Sequence, residues 1–176
     1  MNKKKVRIFV DMDGTIADIH SIQNWWERCQ SEPDFFEKLL PFQNLIKALF
    51  FIKTHYEESI ELCSLSAVND EQKSAKTSKN IWMDMHAVFI EERVFSVIGE
   101  RKSKSVGGIC RTDILLDDYS QNLFEWVEDG GTAIKVKNKI NCINGKWKGS
   151  IISNQDSVDR IVRKLDEIIS PLVKQI

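Results

Sequence analysis

The chain has 176 residues, 42% hydrophobic and 29% charged, with a formal net charge of −1. That length suffices for one domain with a sizeable core, and the composition excludes a disordered or low-complexity polymer. The near-neutral balance supplies no global field for coating a nucleic-acid polymer, although local basic clusters can still draw a small anion into a cleft.

Lys3, Lys4 and Lys5 lead into the apolar run Val6 to Val10, which has strand length and is too short for a signal peptide. No run approaches a membrane span, so a cytoplasmic location with no membrane partner is the default expectation. Ile19, Ile22, Trp25, Trp26 and Cys29 share one helical face, and Phe42, Leu45, Ile46, Leu49 and Phe50 share another after Pro41. Pro33 and Pro41 bracket a short piece with Phe35, Phe36, Leu39 and Leu40. About fifty residues between the first two strands are too many for one crossover helix. Residues 19–55 are therefore expected to form a small helical cap inserted into a core of residues 1–18 and 56–176. Further strands are expected at Ile60 to Leu65, Val94 to Ile98, Ile114 to Leu116 and Thr132 to Val136. Between them lie a polar stretch leading into a helix through Trp82 and Met85, and a helix from Ser120 to Glu128 ended by Gly130-Gly131. A closing helix carries Val158, Ile161, Val162, Leu165, Ile168 and Ile169 on one stripe, with Ser153 or Asn154 as its cap. The alternation of strand and helix predicts an α/β fold, a three-layer Rossmann-like core with a mostly parallel sheet. Cys29, Cys63, Cys110 and Cys142 form no CxxC pair and have no zinc-like spacing, so they read as reduced thiols.

In open parallel sheets, ligands bind beyond the carboxyl ends of the strands. After the first strand stands Asp11-Met12-Asp13-Gly14-Thr15. Residues i and i+2 lie on one side of an extended chain, so Asp11 and Asp13 can face one small site, and Gly14 then lets the backbone turn. The plainer reading of this segment is an acidic loop with Asp18 or Thr15 capping the next helix. After the second strand comes Ser66, and after Ile114 to Leu116 come Asp117 and Asp118, which alone would pass for a solvated turn. Carboxylates gathered at one rim repel unless a hard divalent cation binds there, and Mg²⁺ is the natural partner. Arg101, Lys102 and Lys104 lie in a polar stretch that can supply a cation for phosphate or be a solvated loop.

In this order the four segments resemble the motifs of the haloacid dehalogenase (HAD) superfamily of phosphohydrolases. A narrower similarity is to the 5'(3')-deoxyribonucleotidase group and its bacterial relatives. It rests on Asp11 to Asp18, Leu65-Ser66-Ala67-Val68, Lys79-Asn80-x-Trp82, Leu115 to Tyr119 with Asn122-Leu123-x-x-Trp126, and Gly130-Gly131-x-Ala133-Ile134-Lys135. The resemblance implies that Asp11 attacks phosphorus to form an aspartyl-phosphate and that Asp13 protonates the leaving alkoxide, then activates water. It further implies Mg²⁺ held by Asp11, the Asp13 carbonyl and Asp118, with Asp117 in support. Thr15, Ser66 and Lys104 would bind the phosphoryl oxygens; family spacing favours Lys104, with Lys102 the second choice. The substrate implied is a small phosphomonoester, foremost a nucleoside monophosphate cleaved by a 5'-nucleotidase activity. The chain departs from the nucleotidase Thr-Ser-Pro at Ser66-Ala67-Val68, which removes a hydroxyl and a rigid turn.

Substrate choice belongs to the cap, where Trp25, Trp26, Phe35 and Phe36 are candidates to stack on a base, although aromatics at this spacing more often form cap core. Exposed cap aromatics would serve equally as a homodimer surface. His20, His55 and His86 carry no motif. The alternatives are a phosphatase for a sugar phosphate or similar metabolite, and a catalytically idle phosphate- or nucleotide-binding module. A receiver domain fits worse, because its acceptor aspartate should follow a middle strand.

Overall fold

The computed structural model describes residues 4–69, 72–141 and 145–176, so Lys3 and Cys142 lie outside the described residues. Six strands, β1 (Val6–Val10), β2 (Ile60–Val68), β3 (Glu92–Val97), β4 (Asp113–Asp117), β5 (Thr132–Lys137) and β6 (Ser150–Ser153), form one sheet in the order β3-β2-β1-β4-β5-β6. Every neighbouring pair is parallel. The strand order reverses between β1 and β4, and in such sheets the crevice at that switch point receives the ligand.

The period-two alternation of β1 separates two cores. Val6, Ile8 and Val10, with Ile114, Leu116, Ile134 and Val136, face the larger one. It is completed by α2 (Gln43–Tyr56), α3 (Lys73–His86) and α5 (Val158–Val173). Phe9, Cys63, Leu65, Leu115 and Ala133 point the other way, against Leu123 and Trp126 of α4 (Ser120–Glu128). Both faces of the central strands are thus covered, which is why they read as continuous apolar runs. Each large side chain sealed here contributes about 1.5–3 kcal/mol. Gly130 at φ 100 ends α4 in the left-handed conformation, as its Gly-Gly sequence predicts.

Several local expectations are corrected. The helical face drawn through Ile19 and Cys29 is not one helix. A 3-10 turn at Ile19–Ser21 and α1 (Trp25–Ser31) are separated by Asn24, whose left-handed backbone (φ 54) breaks the periodicity. Phe50 lies on the solvent side of α2, 49% exposed, while Leu45, Ile46 and Leu49 are buried. Residues 150–153, for which no strand was expected, form β6, and α5 is capped not by Ser153 or Asn154 but by Ser157, whose hydroxyl accepts from the Arg160 N–H. Four apolar-polar residues at a sheet edge carry too little periodicity to announce themselves. Met85 of α3 is also exposed, because that helix buries Ala75, Ser78, Lys79, Trp82 and Met83 instead.

The inserted stretch divides structurally. Residues 43–56 are α2, which packs against α5 and β2. The part before it leaves at Ala17 and returns at Pro41, zipped at the neck by Asp18 N–H to Leu40 C=O and Phe42 N–H to Ile16 C=O, both 2.8 Å. Among the described residues no helix is long and apolar enough to cross a membrane.

Candidate active site

β1 delivers Asp11 to the switch point, where its N–H donates to the Leu116 carbonyl of β4 at 2.9 Å. The chain then tightens: the N–H groups of Ile16 and Ala17 both donate to the Met12 carbonyl, at 3.0 and 2.9 Å. Gly14 sits in this loop at φ 77, and a Cβ there would lie 2.5 Å from Asp118 Oδ2. Only glycine meets both the backbone and the space requirement.

Asp11, Asp117 and Asp118 converge, each buried and each offering a carboxylate oxygen within 4.8 Å of the others. Lys102 Nζ lies among them, donating to Asp11 Oδ1 (2.6 Å), Asp117 Oδ2 (2.7 Å) and the Leu65 carbonyl (2.9 Å). Burial raises the Asp11 carboxyl well above the usual carboxylate range; Lys102 opposes this, while Asp117, Asp13 and Asp118 add to it. Burial would depress the Lys102 ammonium, yet Asp11 and Asp117 outweigh it and hold it above its ordinary value. A cluster so short of positive charge fits a hard dication held by oxygen ligands. Two buried atoms with no hydrogen-bond partner among the described residues, Asp13 Oδ1 and Thr15 Oγ1, belong to the same first loop.

The lysine that reaches the acidic cluster is Lys102, the second choice, and not Lys104. Lys104 is exposed, its charge felt at Asp129 rather than in the cluster. A 3-10 segment, Lys102–Val106, turns Lys102 and Ser103 inward and Lys104 out, a choice that spacing alone does not fix. Asp11, Asp117 and Asp118 come together, and Asp13 and Ser66 are joined through Lys79; Ser66, expected after the second strand, lies inside β2, which runs on to Val68.

Other members of the site were missed. Asp117 is fixed by the Tyr119 N–H (2.7 Å) and Asn122 Nδ2 (2.8 Å). Asp118 Oδ2 accepts from Asn138 Nδ2 (2.8 Å), with Asn141 Nδ2 and His20 Nε2 each at 3.3 Å. Asn138 and Asn141 follow the carboxyl end of β5, where the same strand-end rule would have found them. Lys135, buried in β5, donates to the Asp118 carbonyl (2.8 Å) and Ser120 Oγ (2.7 Å). A second buried lysine, Lys79, reaches Asp13 Oδ2 (2.5 Å), Ser66 Oγ (2.7 Å) and the Ala67 carbonyl (2.8 Å). Its signal is its place on the stripe of Ala75, Trp82 and Met83, an inward position occupied by a charge.

Beside Asp13 opens a cleft of about 370 Å³ whose lining includes Trp25, Trp26, Cys29, Phe36, Gln72 and Ile98. A larger open depression, about 740 Å³, lies at the opposite, amino end of β1 and β4 among Lys4, Lys5, Arg7 and Asp113. The first adjoins the carboxylates and the strand ends where chemistry occurs in this topology; the second does not.

Neither a protein-family model nor a curated protein sequence matches this chain. Among solved structures it is similar to a D,D-heptose 1,7-bisphosphate phosphatase from Burkholderia thailandensis, with TM-score 0.59, 13% identity, and coverage of 93% of this chain and 98% of the other. It is also similar to a HAD-superfamily hydrolase from Ehrlichia chaffeensis, with TM-score 0.53, 13% identity, and coverage of 95% and 98%. With its parallel α/β sheet and its acidic rim at the switch point, the chain has the fold of the HAD-superfamily hydrolases.

Proposed function

We propose that the protein is a Mg²⁺-dependent phosphomonoesterase working through an aspartyl-phosphate on Asp11, with a nucleoside monophosphate as its foremost substrate. The observation that carries the reading is the gathering of Asp11, Asp117 and Asp118 around Lys102 at the switch point, with Asp13 at the mouth of the aromatic cleft.

A carboxylate oxygen of Asp11 attacks phosphorus in line, and the bond from phosphorus to the leaving oxygen breaks as that oxygen takes the proton of Asp13. Asp13, now a carboxylate, removes a proton from water; the water oxygen attacks phosphorus, the bond to Asp11 breaks, and inorganic phosphate departs. Thr15 Oγ1, unpartnered and buried, and Ser66 Oγ bind the equatorial oxygens. Lys102 holds Asp11 and Asp117 in register and neutralises part of their charge. Asp11, the Asp13 carbonyl and Asp118 would hold Mg²⁺, whose chemistry is to neutralise charge on the transferring group.

The proposed cap is the zipped segment between Ala17 and Pro41, smaller than residues 19–55, since α2 belongs to the packing beside the sheet. The cleft under it has an aromatic wall of Trp25, Trp26 and Phe36, and stacking on such rings favours a base over a bare sugar. The sugar-phosphate reading is carried by the neighbour that acts on a heptose bisphosphate. Phosphate release over a panel of ribo- and deoxyribonucleoside monophosphates and sugar phosphates separates the two, with Asp11→Asn and EDTA as controls. Turnover that prefers nucleotides and vanishes in both controls supports the proposal. Preference for sugar phosphates keeps the mechanism and discards the substrate. Binding without turnover on any member would make the protein an idle binding module.

A further inference from the structure

Lys79 is 1% exposed, and burying an ammonium costs several kcal/mol unless it is paired and hydrogen-bonded. Its partners are all at the site: Asp13 Oδ2, Ser66 Oγ and the Ala67 carbonyl, with the Phe36 ring centroid 4.5 Å from Nζ. The helix that carries it is strapped to the cap on both sides of this residue. Ser78 Oγ accepts from the Glu37 N–H at 3.1 Å, and Trp82 Nε1 donates to the Leu39 carbonyl at 2.8 Å. Asp13 is thereby held by one oxygen only; Oδ1 is buried and unpartnered. Fixing Oδ2 sets the orientation of the whole carboxyl, which lines the aromatic cleft.

We propose that Lys79 is a positioning residue for acid-base chemistry: through Oδ2 it fixes the Asp13 carboxyl, which lines the aromatic cleft, for proton exchange with the leaving-group oxygen. This inference rests on the phosphomonoesterase reading. Lys79 and Lys102 therefore divide the work, Lys102 serving the attacking carboxylate and Lys79 the proton donor. The contact with Phe36 also makes the position of the donor depend on the cap being in place.

A misplaced acid harms substrates whose leaving group needs its proton and spares those whose leaving group does not. Benzyl phosphate releases an alkoxide and 4-nitrophenyl phosphate a stabilised phenolate, while both present one ring to the cleft. Lys79→Met is expected to lower kcat about a hundredfold on benzyl phosphate, the low end of what a positioned acid contributes, and by only a few fold on 4-nitrophenyl phosphate. In the Asp13→Ala background the same substitution should add no further loss on either, since a residue that acts through another is silent without it. Equal loss on both substrates, or a higher KM with kcat unchanged, overturns the proposal; the second would make Lys79 a phosphate ligand. Should Lys79→Met fail to fold, Lys79→Gln, which keeps a donor of shorter reach, is measured for the same ratio. If the wild-type protein turns over neither ester, the phosphomonoesterase reading fails first, and that failure is distinct from an unchanged ratio in an active enzyme.

Discussion

Replacing Lys102 by methionine removes an ammonium bonded at 2.6 Å to Asp11 and 2.7 Å to Asp117, both buried, and leaves the Leu65 carbonyl without its donor. Methionine fills the volume, so the loss is electrostatic. Breaking a buried ion pair from one side costs about 3–5 kcal/mol, because the remaining charges stay in a poor solvent. For a chain of this size each kcal/mol moves the melting temperature by about 2–4 °C, so the variant should melt roughly 6–20 °C lower. The measurement is thermal unfolding by circular dichroism in EDTA, where no divalent cation can take the place of the ammonium. Lys104→Met is the paired control: that side chain is exposed, and its loss should stay within about 0.5 kcal/mol. Phosphatase activity should follow the same split. Small and equal shifts for the two variants, or activity lost in Lys104→Met alone, would refute the assignment of Lys102 to the cluster.

Gly14→Ala should cost about 1–2 kcal/mol in backbone strain at φ 77, while the new Cβ, 2.5 Å from Asp118 Oδ2, displaces that carboxylate. Activity is therefore expected to fall far more than the melting temperature does, and a stable, fully active variant would contradict the geometry. Asp113 responds to pH: burial alone would raise it, but hydrogen bonds from Arg7 and the Cys110 N–H hold it below the ordinary carboxylate value. A lowered folded value means stability fully present above the unfolded value, about 3.9, and lost as pH falls through the folded one. The melting-temperature gap between wild type and Asp113→Asn should be constant near neutrality and close below about pH 4; a gap that widens in acid would reverse the sign. Trp25→Ala removes part of the cleft wall beside Asp13, and loss of one stacking partner should raise KM for nucleoside monophosphates roughly 5- to 150-fold. KM for methyl phosphate should not move, and an equal rise for both would mean that the ring is packing rather than platform.

How much of this was legible in the sequence depended on range. The strands that cross the middle of the sheet are buried on both faces, so Val6–Val10 and Ile114 to Leu116 stood out as apolar runs. Their carboxyl ends then pointed to Asp11, Asp13, Asp117 and Asp118 by topology alone. What failed was whatever depended on rotation within a short, polar segment. Lys102 and Lys104 differ by two residues in a tight 3-10 turn, and only the folded turn decides which faces in. Asn24 broke a helical face because a single left-handed residue leaves no trace in hydrophobic period. His20 carried no motif, and it meets Asp118 beside Gly14 of the first loop, a contact that spans 98 residues of sequence. Lys79 was visible as a residue and not as a function, since a lysine at an inward helical position acquires meaning only from the acid that waits for it.

The charges at the rim explain why so many lysines are buried there. Asp11, Asp13, Asp117 and Asp118 face Lys79, Lys102 and Lys135, leaving one net negative charge before any ligand arrives. A dication turns that into one net positive charge, which suits a phosphomonoester dianion and repels a second cation. Fewer lysines would leave a site that binds metal tightly but resists a dianion; more would bind phosphate without the metal. The distribution matters as much as the sum. Lys102 sits between Asp11 and Asp117, Lys79 against Asp13, and Lys135 on the backbone of Asp118; Asp11, Asp13 and Asp118 are each bonded through one carboxylate oxygen, whereas both oxygens of Asp117 are held. The two hydrogen bonds by which Asn138 joins Gly14 to Asp118 close the same rim from the β5 side. Each of these buried ammonium groups is a cost to folding that its partners must offset: Asp13 for Lys79, Asp11 and Asp117 for Lys102, and the Asp118 carbonyl with Ser120 Oγ for Lys135, so removing a carboxylate at this rim strands a buried charge as well as altering the site.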